Sequence, residues 1–95
     1  MRRAAKVDDN HAAIRDLLRS VPGVAVWDSS AFGGGFVDLI VRHGERVWYV
    51  EVKNPDMVPS KQRLTEAEEK FRSFIGSAYV VVKTKAEALR LVGVT

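Results

Sequence analysis

The chain has 95 residues, which allow one small domain with a single hydrophobic core and exclude a second domain. Apolar residues make up 46% of the chain and charged residues 28%, so the composition excludes an intrinsically disordered protein. The net charge of +3 permits a polyanionic partner without requiring one, and the absence of cysteine excludes disulfides and thiolate metal sites. No apolar run approaches the length of a transmembrane helix, and we expect a cytoplasmic protein.

The N-terminal part predicts a basic arm and a helix. Residues 1–7 predict a frayed arm without the apolar segment of a signal peptide. A helix of about four turns is expected next, ended by residues 22–23. Its inward-facing stripe consists of apolar residues at helical spacing: Ala13, Ile14, Leu17, Leu18 and Val21. Asn10 precedes members of this stripe by three, four and seven residues, which places it on the same face in the first turn.

The central part predicts three strands. A short strand over residues 24–27 is followed by a glycine-rich loop over residues 28–35. Residues 36–53 then predict a β-hairpin that turns at Gly44, since glycine readily adopts a positive φ angle. Alternation in its first strand separates Val37, Leu39 and Val41 from Asp38, Ile40 and Arg42. In the second strand of the hairpin, the same alternation separates Trp48, Val50 and Val52 from Val47, Tyr49, Glu51 and Lys53.

The hairpin gathers charged side chains on one face. Glu51 and Lys53 project the same way, and the hairpin register can bring Asp38 beside them. Two carboxylates and one ammonium would then converge at the edge of an apolar sheet, which is costly unless the cluster binds something. The alternative interpretation is a solvated strand face with a cross-strand ion pair.

The following segment predicts a loop and a second long helix. Prolines make residues 54–59 an extended loop. Thr65 and Glu68 have the spacing of a capping box, which opens a helix that Gly76 closes. An earlier helix start, at Ser60, remains open. The expected apolar face of this helix consists of Ala67, Phe71, Phe74 and Ile75.

The C-terminal part completes an α/β fold. Residues 78–82 are continuously apolar and predict a strand covered on both faces. A last helix is expected from Thr84, which forms a capping-box pattern with Glu87. The element order is α-β-β-β-α-β-α, and the unit from Glu51 to Val82 predicts a parallel crossover beside the antiparallel hairpin. Together these elements predict an α/β fold in which helices flank a mixed sheet.

An aspartate followed on the next strand by Glu-x-Lys suits metal-dependent phosphodiester hydrolysis. The carboxylates of Asp38 and Glu51 can hold a hard divalent cation such as Mg²⁺, which lowers the pKa of a bound water. Lys53 can stabilise developing charge or orient the attacking water. The backbone carbonyl of Val52, between the two side chains, is a further candidate ligand.

This pattern, FVD followed by EVK, resembles the signature of the PD-(D/E)xK nucleases, and the glycine-rich loop and short length most resemble their VRR-Nuc branch. Archaeal-type Holliday-junction resolvases are similar, and the resemblance covers residues 10–82 in element order as well as motif. It implies one VRR-Nuc-like domain over residues 1–95 with a restriction-endonuclease-like sheet. It also implies a Mg²⁺-dependent DNA endonuclease, with Mn²⁺ as a substitute. Branched DNA such as a Holliday junction and a homodimer would be its partners, in a bacterial, phage or mobile-element context.

The resemblance assigns roles to single residues. Asp38, Glu51 and Lys53 match the motif and are the expected catalytic residues. Asp38, Glu51, the Val52 carbonyl and Asn10 are the expected metal ligands, because Asn10 falls where many relatives carry a helix-1 glutamate. An amide oxygen can ligate a metal but brings no charge. A capping bond at the helix start is the alternative role of Asn10.

Further residues are expected near the substrate. Ser30 falls where the resolvases carry a loop serine, and Glu68 falls where relatives often have a helix glutamine, with the capping box as its alternative role. The expected nucleic-acid contacts are Ser30, Phe32, Gly33, Gly34, Lys61 and Arg63, with a plain loop and a solvated helical face as their alternatives. The core is expected to contain Trp27, Trp48, Phe71 and Phe74.

Two other functions fit the same residues. A nuclease-fold DNA-binding module with weakened or absent catalysis is suggested by the amide at Asn10. A structural or interaction protein would carry the hairpin charges only as a solvated surface.

Overall fold

The computed structural model describes residues 9–94, so the expected arm over residues 1–7 lies outside the described part of the chain. In chain order the helices and strands are α1 (Asp9–Arg19), β1 (Val24–Asp28), β2 (Leu39–His43), β3 (Arg46–Val52), α2 (Pro59–Gln62), α3 (Glu66–Ile75), β4 (Tyr79–Val82) and α4 (Lys85–Leu91). Short 3₁₀ turns lie at Ser30–Phe32 and Gly76–Ala78. The open question at Ser60 is answered by a separate short helix, α2, because the extended backbone of Arg63 interrupts the helical path before α3.

The four strands form one mixed sheet in the order β1-β2-β3-β4. β2 pairs antiparallel with both β1 and β3, while β3 and β4 are parallel, so the predicted hairpin and the predicted parallel pairing are confirmed. The register sets Leu39 opposite Val50 and Val41 opposite Trp48. The fold is α/β, a four-stranded mixed sheet with flanking helices.

One face of the sheet forms the hydrophobic core with α1 and α4. The buried core residues are Ile14, Leu18, Leu39, Val41, Trp48, Val50, Val82, Ala88 and Val92. They come from the apolar stripe of α1, from alternate positions of the strands and from the C-terminal helix. Burying one such aliphatic side chain stabilises a fold by about 1.5–3 kcal/mol. Because most of the fully buried apolar side chains lie on this face, it supplies most of the hydrophobic stabilisation.

The opposite face of the sheet is covered only in part, and this corrects two predictions about the core. Phe71 of α3 packs edge-on against Tyr49 and Tyr79, at ring distances of 6.1 Å. Beyond this contact Trp27 is 67% exposed and Phe74 is 82% exposed, so their expected place in the core is wrong. The prediction that the last strand is covered on both faces is wrong at Val81, which is 36% exposed, whereas Tyr79 on the same face of β4 is buried under α3.

Local hydrogen bonds determine where the helices begin and end. α1 is one turn shorter than predicted, because the Ser20 N–H is shared between the carbonyls of Asp16 and Leu17 and the last turn tightens. The predicted capping box of α3 is confirmed. The Thr65 hydroxyl accepts from the Glu68 N–H at 3.1 Å, and the Glu68 carboxylate accepts from the Thr65 N–H at 2.8 Å.

Gly35 holds the loop before β2 against the start of α3. Its φ angle is +90°, and a Cβ atom there would lie 2.6 Å from the Cβ of Ala67. We expect Gly35→Ala to lower the free energy of unfolding by more than the about 1–2 kcal/mol that a left-handed backbone alone costs. The matched control is Gly34→Ala, where φ is +65° and nothing lies within 4 Å of the added atom. Urea denaturation of both variants measures the difference, and equal losses would refute the close packing.

Candidate active site

Asp38 enters the site at the start of β2, where the chain leaves the glycine-rich loop. Its carboxylate Oδ2 accepts a hydrogen bond from the Val52 N–H at 2.9 Å, which joins the two strands of the hairpin through a side chain. Its backbone carbonyl accepts from Ser29 N–H, and the fully buried Ser29 hydroxyl donates to the Val37 carbonyl at 2.8 Å. The loop is therefore anchored by Ser29, a residue that the sequence analysis did not single out.

Glu51 and Lys53 project from one face of β3, as the alternation predicts. The Lys53 Nζ lies 3.4 Å from Glu51 Oε2. Glu51 is only 4% exposed, and its second oxygen, Oε1, has no hydrogen-bond partner among the described residues. A buried carboxylate oxygen without a donor is unfavourable, so this atom would be stabilised by a proton shared with the neighbouring Glu68 carboxylate or by a bound cation.

Glu68 joins the site from α3. Its Oε1 accepts from Lys53 Nζ at 3.0 Å as well as from the Thr65 N–H. The capping bond that starts α3 thus also orients the Glu68 carboxylate toward Lys53, and a functional role of Glu68 remains a prediction. The charges of Asp38, Glu51, Lys53 and Glu68 form one cluster, which we call the carboxylate cluster.

The carboxylate cluster contains more negative than positive charge. Burial, followed by the neighbouring Asp38 carboxylate, raises the pKa of Glu51 to about 9. Burial also raises the pKa of Asp38, although the Val52 N–H favours its charged form. Burial opposes the charge of Lys53, but the hydrogen bond to Glu68 outweighs it and the lysine pKa is raised. Burial opposes the charge of Glu68, but the bond from the Thr65 N–H and the side-chain bonds with Glu51 and Lys53 outweigh it, so the pKa of Glu68 is lowered. One ammonium against three carboxylates leaves room for a proton or a cation.

The oxygen atoms of the cluster fit a hard divalent cation. Asp38 and Glu51 offer carboxylates, and the unpartnered Glu51 Oε1 is the atom that such an ion would satisfy. Because the Val52 N–H bonds to Asp38, the carbonyl of Val52 is turned to the same side of the strand. Within residues 9–94 no group of three or more His, Cys, Asp and Glu side chains has the arrangement of a metal site, and a bound cation at this cluster remains a prediction that would use the two carboxylates and the Val52 carbonyl.

Asn10 lies beside the site but makes structural bonds there. Its amide nitrogen donates to the backbone carbonyls of Lys53 and Lys83, both at 2.9 Å. These bonds attach α1 to the ends of the two parallel strands and fix the backbone of Lys53. The metal-ligand role of Asn10 remains a prediction that would use its amide oxygen.

A second polar network borders the site and was missed by the sequence analysis. Asp28, at the end of β1, accepts from His11 Nε2 at 3.2 Å and from Arg15 at 3.0 Å. Its other oxygen accepts from the hydroxyl and N–H of Ser30, at 2.6 and 3.0 Å. These bonds lower the pKa of Asp28 well below its usual range, although its burial opposes this. The spacing of three and seven residues from His11 to Ile14 and Leu18 was the available signal that His11 is buried.

The expected nucleic-acid contacts lie on the surface at two places. Phe32 is 68% exposed beside the exposed Gly33 and Gly34, while Lys61 lies on α2 and Arg63 follows it. The Ser30 hydroxyl, expected in the same role, donates to Asp28. Contact of these residues with nucleic acid remains a prediction.

Tyr79 contributes a second buried polar atom without a partner. Its hydroxyl has no hydrogen bond within the described chain, and burial, followed by the Glu51 carboxylate, raises its pKa. We expect Tyr79→Phe to leave the free energy of unfolding unchanged or to raise it by up to about 1 kcal/mol, because it removes an unsatisfied group. Tyr49→Phe on the same face is the control. Destabilisation by Tyr79→Phe alone, measured by urea denaturation, would reveal a hydrogen bond to the hydroxyl.

The described residues include no helix with the length and apolar character needed to cross a lipid bilayer. Comparison with protein-family models, with curated proteins and with solved structures finds no match to this chain.

Proposed function

We propose that this protein is a metal-dependent DNA endonuclease with a restriction-endonuclease-like sheet of the VRR-Nuc type, acting in the cytoplasm. The observation that carries the proposal is the half-buried carboxylate of Asp38 next to the buried carboxylate of Glu51, which has one unpartnered oxygen and lies beside the ammonium of Lys53. Groups of this kind are costly to bury in a protein that does not use them.

Each residue has a role that its contacts support. Asp38, Glu51 and the Val52 carbonyl would hold Mg²⁺ or Mn²⁺, with Asn10 as a further candidate through its amide oxygen. The bound cation would neutralise the scissile phosphate and make its water more acidic. Lys53, held by Glu68 at 3.0 Å and Glu51 at 3.4 Å, would orient the attacking water and stabilise the negative charge that develops on the phosphate.

The test is cleavage of linear and branched DNA in the presence of Mg²⁺ or Mn²⁺. The unmodified protein is expected to cleave, with four-way junctions as one candidate substrate, and cleavage should disappear in EDTA. Asp38→Asn keeps the size of the side chain but removes its charge, and it should abolish the reaction. Cleavage that persists in Asp38→Asn and in Lys53→Ala would come from another protein and would end the assignment.

A DNA-binding module without catalysis is the second candidate. It is favoured by Asn10, whose amide binds two backbone carbonyls at a position where a third acidic ligand would strengthen metal binding. Such a module would bind DNA, and isothermal calorimetry would show no heat from Mn²⁺. A measured Mn²⁺ site that is lost in Glu51→Gln would exclude it.

A homodimer is part of the proposal. The uncovered part of the sheet forms a shallow apolar groove of about 300 Å³ between β1, β2 and β3, lined by residues that include Trp27, Ile40 and Val47. Burial of this groove between two protomers would bring two sites to two DNA strands. Sedimentation equilibrium should then show a dimer that Trp27→Glu dissociates, and a monomeric unmodified protein would refute it.

A further inference from the structure

Four phenylalanine rings form a continuous row across the surface next to the carboxylate cluster. The ring centroids of Phe32 and Phe36 lie 5.5 Å apart, those of Phe36 and Phe71 lie 5.0 Å apart, and those of Phe71 and Phe74 lie 6.5 Å apart. The residues come from two separate parts of the chain, the glycine-rich loop and α3. We call these four residues the phenylalanine row.

The two ends of the row are exposed while its middle is anchored. Phe71 is half-buried and contacts Tyr49 and Tyr79, which fixes its position over the sheet. Phe32 is 68% exposed and Phe74 is 82% exposed. Leaving a phenylalanine in water forgoes about 1.5–3 kcal/mol of hydrophobic stabilisation, so the folding of the described chain does not account for these two rings.

The middle of the row, Phe36 and Phe71, is close in sequence to residues of the proposed site of chemistry. Phe36 is two residues before Asp38, and Phe71 follows Glu68 by one turn of α3. The close approach of Gly35 to Ala67 joins the loop to the helix at this point. A polymer whose phosphate lay at the carboxylate cluster would therefore have its neighbouring units beside the rings.

We propose that the phenylalanine row is a stacking platform for unpaired nucleotides, and that the substrate has a single-stranded segment next to the scissile phosphate. The proposal rests on the nuclease function above and extends it to a class of substrate. Bases stack on aromatic side chains largely irrespective of sequence. Lys70, which is exposed and lies four residues before Phe74, is on the same side of α3 and can meet a phosphate of the stacked strand.

Unpaired bases are required because a continuous duplex does not present the faces of its bases. Only base edges are accessible in the grooves of a duplex, whereas splayed nucleotides expose the rings that Phe32 and Phe74 could cover. The chemistry of the row is thus matched to single-stranded segments rather than to fully paired DNA.

The experiment measures binding separately from cleavage. Fluorescence anisotropy in EDTA compares a labelled single strand of mixed sequence, a blunt duplex of the same sequence and that duplex with a single-stranded tail. Phe32→Ala and Phe74→Ala should each weaken binding of the single strand and the tailed duplex by about five- to a hundredfold, with less than a twofold effect on the blunt duplex. Val94→Ala, which removes an exposed apolar side chain outside both the row and the groove at Trp27, should change none of the three.

Two further measurements separate stacking from other causes. A 2-aminopurine base in the tail should be quenched by the unmodified protein and much less by Phe74→Ala, while Phe74→Trp should retain both quenching and affinity. Sedimentation of the same variants tests whether the row instead binds a second copy of the chain. The proposal is overturned if the single strand does not bind, if blunt and tailed duplexes lose affinity equally, or if Phe74→Ala alters only the association state. If the unmodified protein binds the single strand through the phenylalanine row but cleaves no DNA, only the nuclease assignment is refuted.

Discussion

Lys53→Ala is expected to reduce metal-dependent DNA cleavage by about a hundred- to ten-thousandfold, the range seen when one charged or proton-transferring group is removed from an active site. The Lys53 ammonium lies 3.4 Å from Glu51 and 3.0 Å from Glu68. Among the described residues, no other cationic side chain forms an ion pair with these two carboxylates. Single-turnover kinetics with saturating protein measures the chemical step without product release.

The matched control for this loss is Lys83→Ala. Lys83 follows the neighbouring strand β4, and its ammonium bonds to the neutral side chain of Gln62 at 3.3 Å and forms no ion pair with the carboxylate cluster. We expect its cleavage rate to stay within threefold of that of the unmodified protein. A Lys53→Ala rate within tenfold of the unmodified rate, in a variant whose thermal unfolding in Mg²⁺ is unchanged, would contradict the role of Lys53.

In the absence of metal, the stability of the protein is expected to fall as the pH rises from about 4.5 to about 9. The folded protein raises the pKa of Glu51 from its usual value of 4.5 to about 9, so between these values it binds a proton that the unfolded chain releases. Stability therefore decreases with rising pH in this window, by at most about 1.4 kcal/mol per pH unit for one proton. Urea denaturation at pH 5, 7 and 9 in EDTA measures the decline.

Two comparisons identify the origin of this pH dependence. Glu51→Gln removes the titrating group and should flatten the decline, whereas Glu45→Gln, an exposed residue of the hairpin turn, should leave it unchanged. Mg²⁺ at a hundredfold excess over its dissociation constant at pH 7 should add about 2.7 kcal/mol, and the same concentration should add more at pH 9, where fewer Glu51 carboxyls hold a proton. A decline that is the same in Glu51→Gln would place its cause elsewhere.

Residues that are related by a regular period were predictable from the sequence. The two-residue period of a strand sets Glu51 and Lys53 on one face, and pairing of the hairpin brings Asp38 to them. The capping box at Thr65 predicted the start of α3. Each of these features depends on contacts within a short stretch of chain or within a single pair of strands.

Features that depend on how the elements pack were not predictable. The bond between Glu68 and Lys53 requires α3 to lie across the sheet at one particular position. The exposure of Trp27 and Phe74 follows from the partial cover of one sheet face, and the apolar character of these side chains alone favoured the core. Periodicity carries no information on either point.

The two bonds of Asn10 tie completion of the site to the folding of the whole chain. They span 43 and 73 residues and link the first helix to the segments that follow β3 and β4. Contacts this distant in sequence close large loops and form only after much chain entropy has been lost. A partly folded chain could form the local hairpin without docking α1, and its Lys53 backbone would then lack this restraint. In the proposed nuclease, Asn10 would therefore restrain the backbone of Lys53 only in a completely folded molecule.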